Sequence, residues 1–189
     1  MVIFDDNKIR KTWERFSAIH GLKITEKETS LFPIADKSKK YLAIEITDEY
    51  TIFYKYLYYK VDIGIGNYFK VSIPIDTIEK FRIHRHGIVN RLFLRNSIKI
   101  MPENYIELNS SLKELIAEIF KKFSDLRIRT SKYSFHEFGL PQRDLKILEI
   151  HTKYLPTEFI ELDSIRDLTL NVFNYFREQN LIKPLTNIE

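Results

Sequence analysis

The hydrophobic pattern of this 189-residue chain changes its period near residue 22, and this change most limits the fold that the chain can form. Before it, large side chains recur every three or four residues, as on one face of a helix. The recurring positions are Ile9, Trp13, Phe16 and His20. After it, apolar and polar residues alternate in short runs typical of β-strands. The connections are too short for the crossovers that parallel strands need, so the pattern predicts a mainly antiparallel sheet.

The same pattern gives bounds for the elements of the first half. A helix is expected from about Asp6 to His20, with Asp5 and Asp6 favourable near its N-terminus and Gly21 just after its end. Strands are then expected at Leu22–Thr25, Ser30–Ile34, Tyr41–Thr47, Thr51–Val61, Tyr68–Ile75, Lys80–His86 and Ile88–Arg95.

The second half alternates between strands and helices. Ser111 and Glu114 have the spacing of a capping box and predict a central helix. Ser164 with Asp167 predicts the start of a last helix, which ends before Pro184. Strands are expected at Tyr105–Leu108, Leu126–Thr130, Tyr133–Phe138 and Leu145–His151.

These elements predict an α+β fold, a mainly antiparallel sheet with about three helices packed against it: N-terminal, central and C-terminal. We expect a single domain over residues 1–189 with a weak seam near 101–103, because no repeat or flexible linker divides the chain. With 44% hydrophobic residues the chain can bury a core of its own.

Several classes of site are excluded or disfavoured by composition. The chain has no cysteine, which rules out disulfides and thiolate zinc sites. It has no run of 18 apolar residues, and acids stand at positions 5 and 6, so we expect a soluble cytoplasmic protein without membrane insertion. Gly64 and Gly66 are followed by a strand and not by a helix, so they predict a turn; no cofactor is predicted.

An acid-free, cation-rich stretch runs from Lys80 to Pro102. It holds six of the 30 Lys and Arg and none of the 26 Asp and Glu. Period-two geometry puts Lys80, Arg82, His84 and His86 on one face, with Phe81 and Ile83 on the other. The predicted site for an anionic partner comprises Lys80, Arg82, His84, Arg85, His86, Arg91 and Arg95. The alternative interpretation is a solvated outer face of the sheet.

A second candidate surface lies on the run Thr51–Val61. Its alternation puts Tyr54, Tyr56 and Tyr58 on one strand face. If the helices cover the other face, these tyrosines form a partner surface. The alternative is that they are strand-forming residues whose hydroxyls reach water.

His84 and His86 share a strand face and could chelate a metal if His136, His151 or a carboxylate supplied a third ligand. Flanking Arg82 and Arg85 oppose a cation, so no metal ligand is assigned. Glu149 with His151 could be combined with His136 and Glu137 as an acid/base pair, but no nucleophile accompanies them, and no catalytic residue is predicted.

The leading hypothesis is therefore a non-enzymatic binding module that acts through protein–protein contacts or self-association. The first alternative is a protein that binds nucleic acid or another polyanion through the basic strand pair over residues 80–99. The second is a metal-dependent enzyme using His84 and His86.

Overall fold

The computed structural model describes residues 5–30, 37–59, 66–77, 80–85, 98–101, 106–141 and 144–185. Over these ranges the chain forms three α-helices and a nine-stranded antiparallel sheet, which confirms the α+β class. The helices are α1 (Asp6–His20), α2 (Ser110–Lys122) and α3 (Phe159–Glu178). The strands are β1 (Lys23–Ser30), β2 (Lys37–Ile46), β3 (Thr51–Tyr59), β4 (Tyr68–Thr77), β5 (Arg82–Arg85), β6 (Ile98–Met101), β7 (Arg127–Ser134), β8 (Asp144–Thr152) and β9 (Ile182–Pro184).

Helix α1 has the predicted bounds because both of its ends are set locally. The Asp5 carboxylate accepts hydrogen bonds from the backbone N–H groups of Asn7 and Lys8. At the other end Gly21 adopts a left-handed conformation with φ of 65°, which a glycine accepts without a steric penalty. Trp13 and Phe16 of the apolar stripe are buried against the sheet.

The other two helices begin elsewhere than predicted. Asn109, and not Ser111, caps α2 by accepting from the Leu112 N–H at 2.8 Å. Helix α3 starts at Phe159, where Glu158 and Glu161 form a reciprocal capping box. Ser164, the predicted start, lies inside α3 and donates its hydroxyl to the Ile160 carbonyl.

The sheet order is β1-β2-β3-β4-β8-β7-β5-β6, with β9 paired to the end of β4. Strands β1 to β4 form a meander, whereas β8 and β7 are inserted between β4 and β5. The two strands expected at Leu126–Thr130 and Tyr133–Phe138 are one strand, β7, followed by a 3₁₀ turn at His136–Phe138. Residues 106–109 are not a strand. Most of Ser30–Ile34 and all of Ile88–Arg95 lie outside the described residues.

One face of the sheet packs against the helices through an aliphatic core that also contains many aromatic side chains. Trp13 stacks on Tyr41, with ring centroids 5.9 Å apart, and meets Tyr56 edge to face at 5.6 Å. The opposite face, called the outer face below, carries a smaller apolar cluster of Phe53, Phe135 and Ile147. This cluster holds the segment after β7 against β3. The β7, β5 and β6 part of the outer face carries mainly polar side chains, with exposed Met101 beside Arg82.

Candidate functional site

The strand register aligns basic side chains from six neighbouring strands in one line across the outer face. Reading from β6 to β3, each residue is the direct cross-strand partner of the next. Because directly paired residues point to the same face, their side chains share the outer face. We call this line the cationic row; it consists of Lys99, His84, Arg127, His151, Lys70 and Lys55.

A second row of cross-strand partners lies two residues further along the strands. It adds Arg82 of β5 and Arg129 of β7, which are direct partners. Glu149 of β8 lies beside them and accepts from Arg129, with Nε at 2.8 Å from Oε1. The Lys70 ammonium lies 3.6 Å from the other oxygen of Glu149. One buried carboxylate therefore faces two cations, and the local balance stays positive.

The β3 and β4 end of the cationic row is buried and paired. Lys55 forms an ion pair with Glu137, which also accepts from Lys40 at 3.0 Å. Burial alone would raise the pKa of Glu137, but the hydrogen bonds from Lys55 and Lys40 outweigh burial and lower that pKa to about 2. Burial alone would lower the pKa of Lys55, and the hydrogen bond to Glu137 instead raises it. This end is a structural cluster in which one carboxylate holds two lysines.

Lys70 lies at the boundary between the two ends. Its ammonium sits 3.4 Å from the centre of the Tyr133 ring, a cation–π contact. Burial lowers the pKa of Lys70 to about 8, even though Glu149 acts in the opposite direction. Lys70 is thus charged at neutral pH but held in a site that disfavours the charge.

The β7, β5 and β6 end has accessible cations. Arg82 and Arg127 are exposed, and Lys99 is half-buried. Within the described residues no ion pair joins these three side chains to an acid. The segment 86–97 between β5 and β6, outside the described residues, has further cations in sequence and no acid. Unpaired Arg and Lys on one face create a local positive potential that favours anions.

The predicted anion-binding residues divide into three groups. The alternation over β5 is confirmed, because exposed Arg82 and half-buried His84 lie on the outer face whereas Phe81 and Ile83 are buried. Lys80 is exposed just before the strand, and Arg85 points to the opposite face from Arg82. His86, Arg91 and Arg95 lie outside the described residues.

Sequence reasoning missed the basic side chains that other strands bring to this site. Arg127, Arg129, His151 and Lys70 join it only through the pairings of β7 with β5 and of β8 with both β7 and β4. The sequence predicts which face of its own strand each residue occupies, but it does not predict which strands pair with one another.

The predicted partner surface on β3 is corrected by the structure. The side chains of Tyr54, Tyr56 and Tyr58 are each 0% exposed, since they lie under the helices. The Tyr54 hydroxyl donates to Glu45 at 2.6 Å, and the Tyr58 hydroxyl donates to Asp6 at 2.8 Å. These tyrosines form the core, so a partner could reach them only if the helices moved.

The metal hypothesis is not supported by the described residues. His86 lies outside them, and within them no group of three or more His, Asp or Glu could hold an ion. His136 lies in the 3₁₀ turn after β7, whereas His84 lies within β5.

Across the described ranges, no helix is long and apolar enough to span a membrane.

Comparisons with protein-family models, curated proteins and solved structures give no match to this chain.

Proposed function

We propose that this protein binds nucleic acid through contacts of the outer face with the phosphate backbone. The observation that carries the proposal is the juxtaposition of Arg82, Arg127 and Lys99 on three paired strands. Paired strands lie about 5 Å apart, so these cations form a compact patch that can contact several phosphates together. Arginine favours this role because its guanidinium donates forked hydrogen bonds to phosphate oxygens.

The charge distribution supports a backbone contact in preference to base-specific reading. The accessible groups are long, flexible cations on a sheet face, which suit phosphate oxygens more than the fixed geometry of base edges. The protein-partner hypothesis stays a prediction, but it no longer has the tyrosine strand in its favour, since that strand is buried.

The test is a fluorescence-anisotropy titration of labelled oligonucleotides at about 50 mM and about 200 mM salt. With about three phosphates contacted, affinity should fall roughly 20-fold for a single strand and roughly 40-fold for a duplex over this range. Arg82→Glu/Arg127→Glu should abolish binding at the lower salt, because it reverses both exposed arginines of the patch.

The matched control is Lys11→Glu/Lys113→Glu. These lysines are exposed on α1 and α2, on the helical side of the sheet, and the substitutions change the net charge by the same amount. The control should retain binding nearly unchanged. Equal losses in the two variants would show a diffuse charge effect and overturn the proposed site. Binding of heparin without binding of any oligonucleotide would overturn nucleic acid as the ligand.

A further inference from the structure

Two aromatic rings lie on the outer face beside the accessible cations Arg82, Arg127 and Lys99. Tyr68 of β4 and His151 of β8 are both half-buried, and their ring centroids are 5.6 Å apart with a 36° tilt. His151 is the direct cross-strand partner of Arg127, so the two rings lie next to the accessible cations.

Neighbouring side chains constrain the first of these rings. The Lys55 ammonium lies 5.7 Å from the centre of the Tyr68 ring, and Lys55 itself is held by Glu137. Tyr133, the other aromatic residue close by, already has its ring covered by Lys70 and its hydroxyl bonded to Glu137. Among the described residues, Tyr68 and His151 form a pair of half-buried rings here that lack so close a cation–π contact and can meet a ligand.

An aromatic pair next to phosphate-binding cations matches the chemistry of an unpaired nucleotide. A base in a duplex has both faces covered by its neighbours, whereas a base in a single strand can stack on a protein ring. Within the described residues the three α-helices pack on the opposite face of the sheet, so the outer face carries no α-helix that could enter the major groove of a duplex.

We infer that the outer face binds single-stranded nucleic acid in preference to duplex, with a base stacked at Tyr68 and His151 and the adjoining phosphates at Arg127, Arg82 and Lys99. This inference rests on the proposed function and specifies the ligand of the same site. Stacking of this kind tolerates different bases, because every base has a π-face.

The experiment compares three labelled probes of equal length: oligo-thymidine, a duplex, and an abasic strand that keeps the phosphates and lacks the bases. Wild-type protein should bind the oligo-thymidine more tightly than the abasic strand, by about 5-fold or more for one stacked base. It should also bind the oligo-thymidine more tightly than the duplex.

The variants separate stacking from charge. Tyr68→Leu keeps an apolar side chain but removes the ring, so it should lower affinity for oligo-thymidine to that of the abasic strand and leave abasic binding unchanged. Tyr68→Phe should preserve the preference, which makes it the matched control. His151→Leu should act in the same direction as Tyr68→Leu. Far-UV circular dichroism and the unfolding midpoint establish that each variant is folded.

The two proposals fail in different ways. If all three probes bind equally and Tyr68→Leu changes nothing, the backbone contact stands and the stacking inference is overturned. Tighter binding of duplex than of single strand also overturns it. If none of the probes binds at about 50 mM salt, the proposed function itself is overturned.

Discussion

Arg166 of α3 and Glu45 of β2 form a two-pronged, largely buried ion pair. The Nε of Arg166 donates to Oε2 of Glu45 at 2.9 Å, and a terminal guanidinium nitrogen donates to Oε1. The Tyr54 hydroxyl donates to Oε2 of the same carboxylate at 2.6 Å. Because the Glu45 side chain is only 5% exposed, its charge depends on these donors. The pair joins the C-terminal helix to the meander half of the sheet.

Replacing Arg166 by methionine should destabilise the fold strongly. The substitution leaves the Glu45 carboxylate buried without its cation, and breaking a buried pair in this way costs about 3–5 kcal/mol. The measurement is the free energy of unfolding in urea. The control is Arg177→Met, which removes a more exposed pair with Glu49 at the other end of α3 and should cost less than about 1 kcal/mol. Equal losses from the two substitutions would contradict the structural role given to Arg166.

Lys70 should make the fold more stable as pH rises from about 8 toward 10. Burial lowers the pKa of Lys70 to about 8 from an ordinary value of 10.5. Between these values the unfolded chain binds more protons than the native protein, so removing protons from solution favours the native state. Lys70→Met should lose this rise, which amounts to about 1–3 kcal/mol.

The measurement is urea unfolding of wild type and Lys70→Met at several pH values below the onset of tyrosine ionisation. The relevant quantity is the difference between the two profiles, since other groups contribute equally to both. Lys113→Met, which removes an exposed amine on α2, should follow the wild-type profile. Parallel profiles for wild type and Lys70→Met would show that the site does not disfavour the charged lysine.

Glu137 should contribute stability that is lost in acid. The hydrogen bonds from Lys55 and Lys40 outweigh burial and lower the pKa of Glu137 from its ordinary value of 4.5 to about 2. Its contribution is present above pH 4.5 and disappears as pH falls through that window toward 2. Glu137→Gln should therefore be less stable than wild type at pH 7 by about 1–3 kcal/mol, and the difference should shrink in acid.

The measurement is thermal or urea unfolding of both proteins from neutral to acid pH. Glu114→Gln removes an exposed carboxylate on α2 and serves as the control, with an expected change within about 0.5 kcal/mol. A difference between wild type and Glu137→Gln that stays constant down to pH 2 would contradict the contribution assigned to the lysines.

Local signals predicted some boundaries well and others poorly. Helix α1 was predicted to its bounds because Asp5 and Gly21 act through the backbone beside them. At α2, Asn109 and Ser111 are both capable caps, and the choice between them depends on which turn packs Leu112 into the core. At α3, a glutamate supplied the cap in place of the more usual Ser, Thr, Asp or Asn.

The sequence alone determined the class of fold, the alternation of each strand and the confinement of excess positive charge to residues 80–102, because these depend on side-chain type and local backbone geometry. Only the tertiary structure decided that β7 and β8 separate β4 from β5, and hence that Arg127 and His151 join Arg82 and His84. It also decided that the helices cover the face of Tyr54 and leave that of Arg82 exposed. Strand partners are set by the packing of the whole core, a non-local free energy that no short stretch of sequence contains.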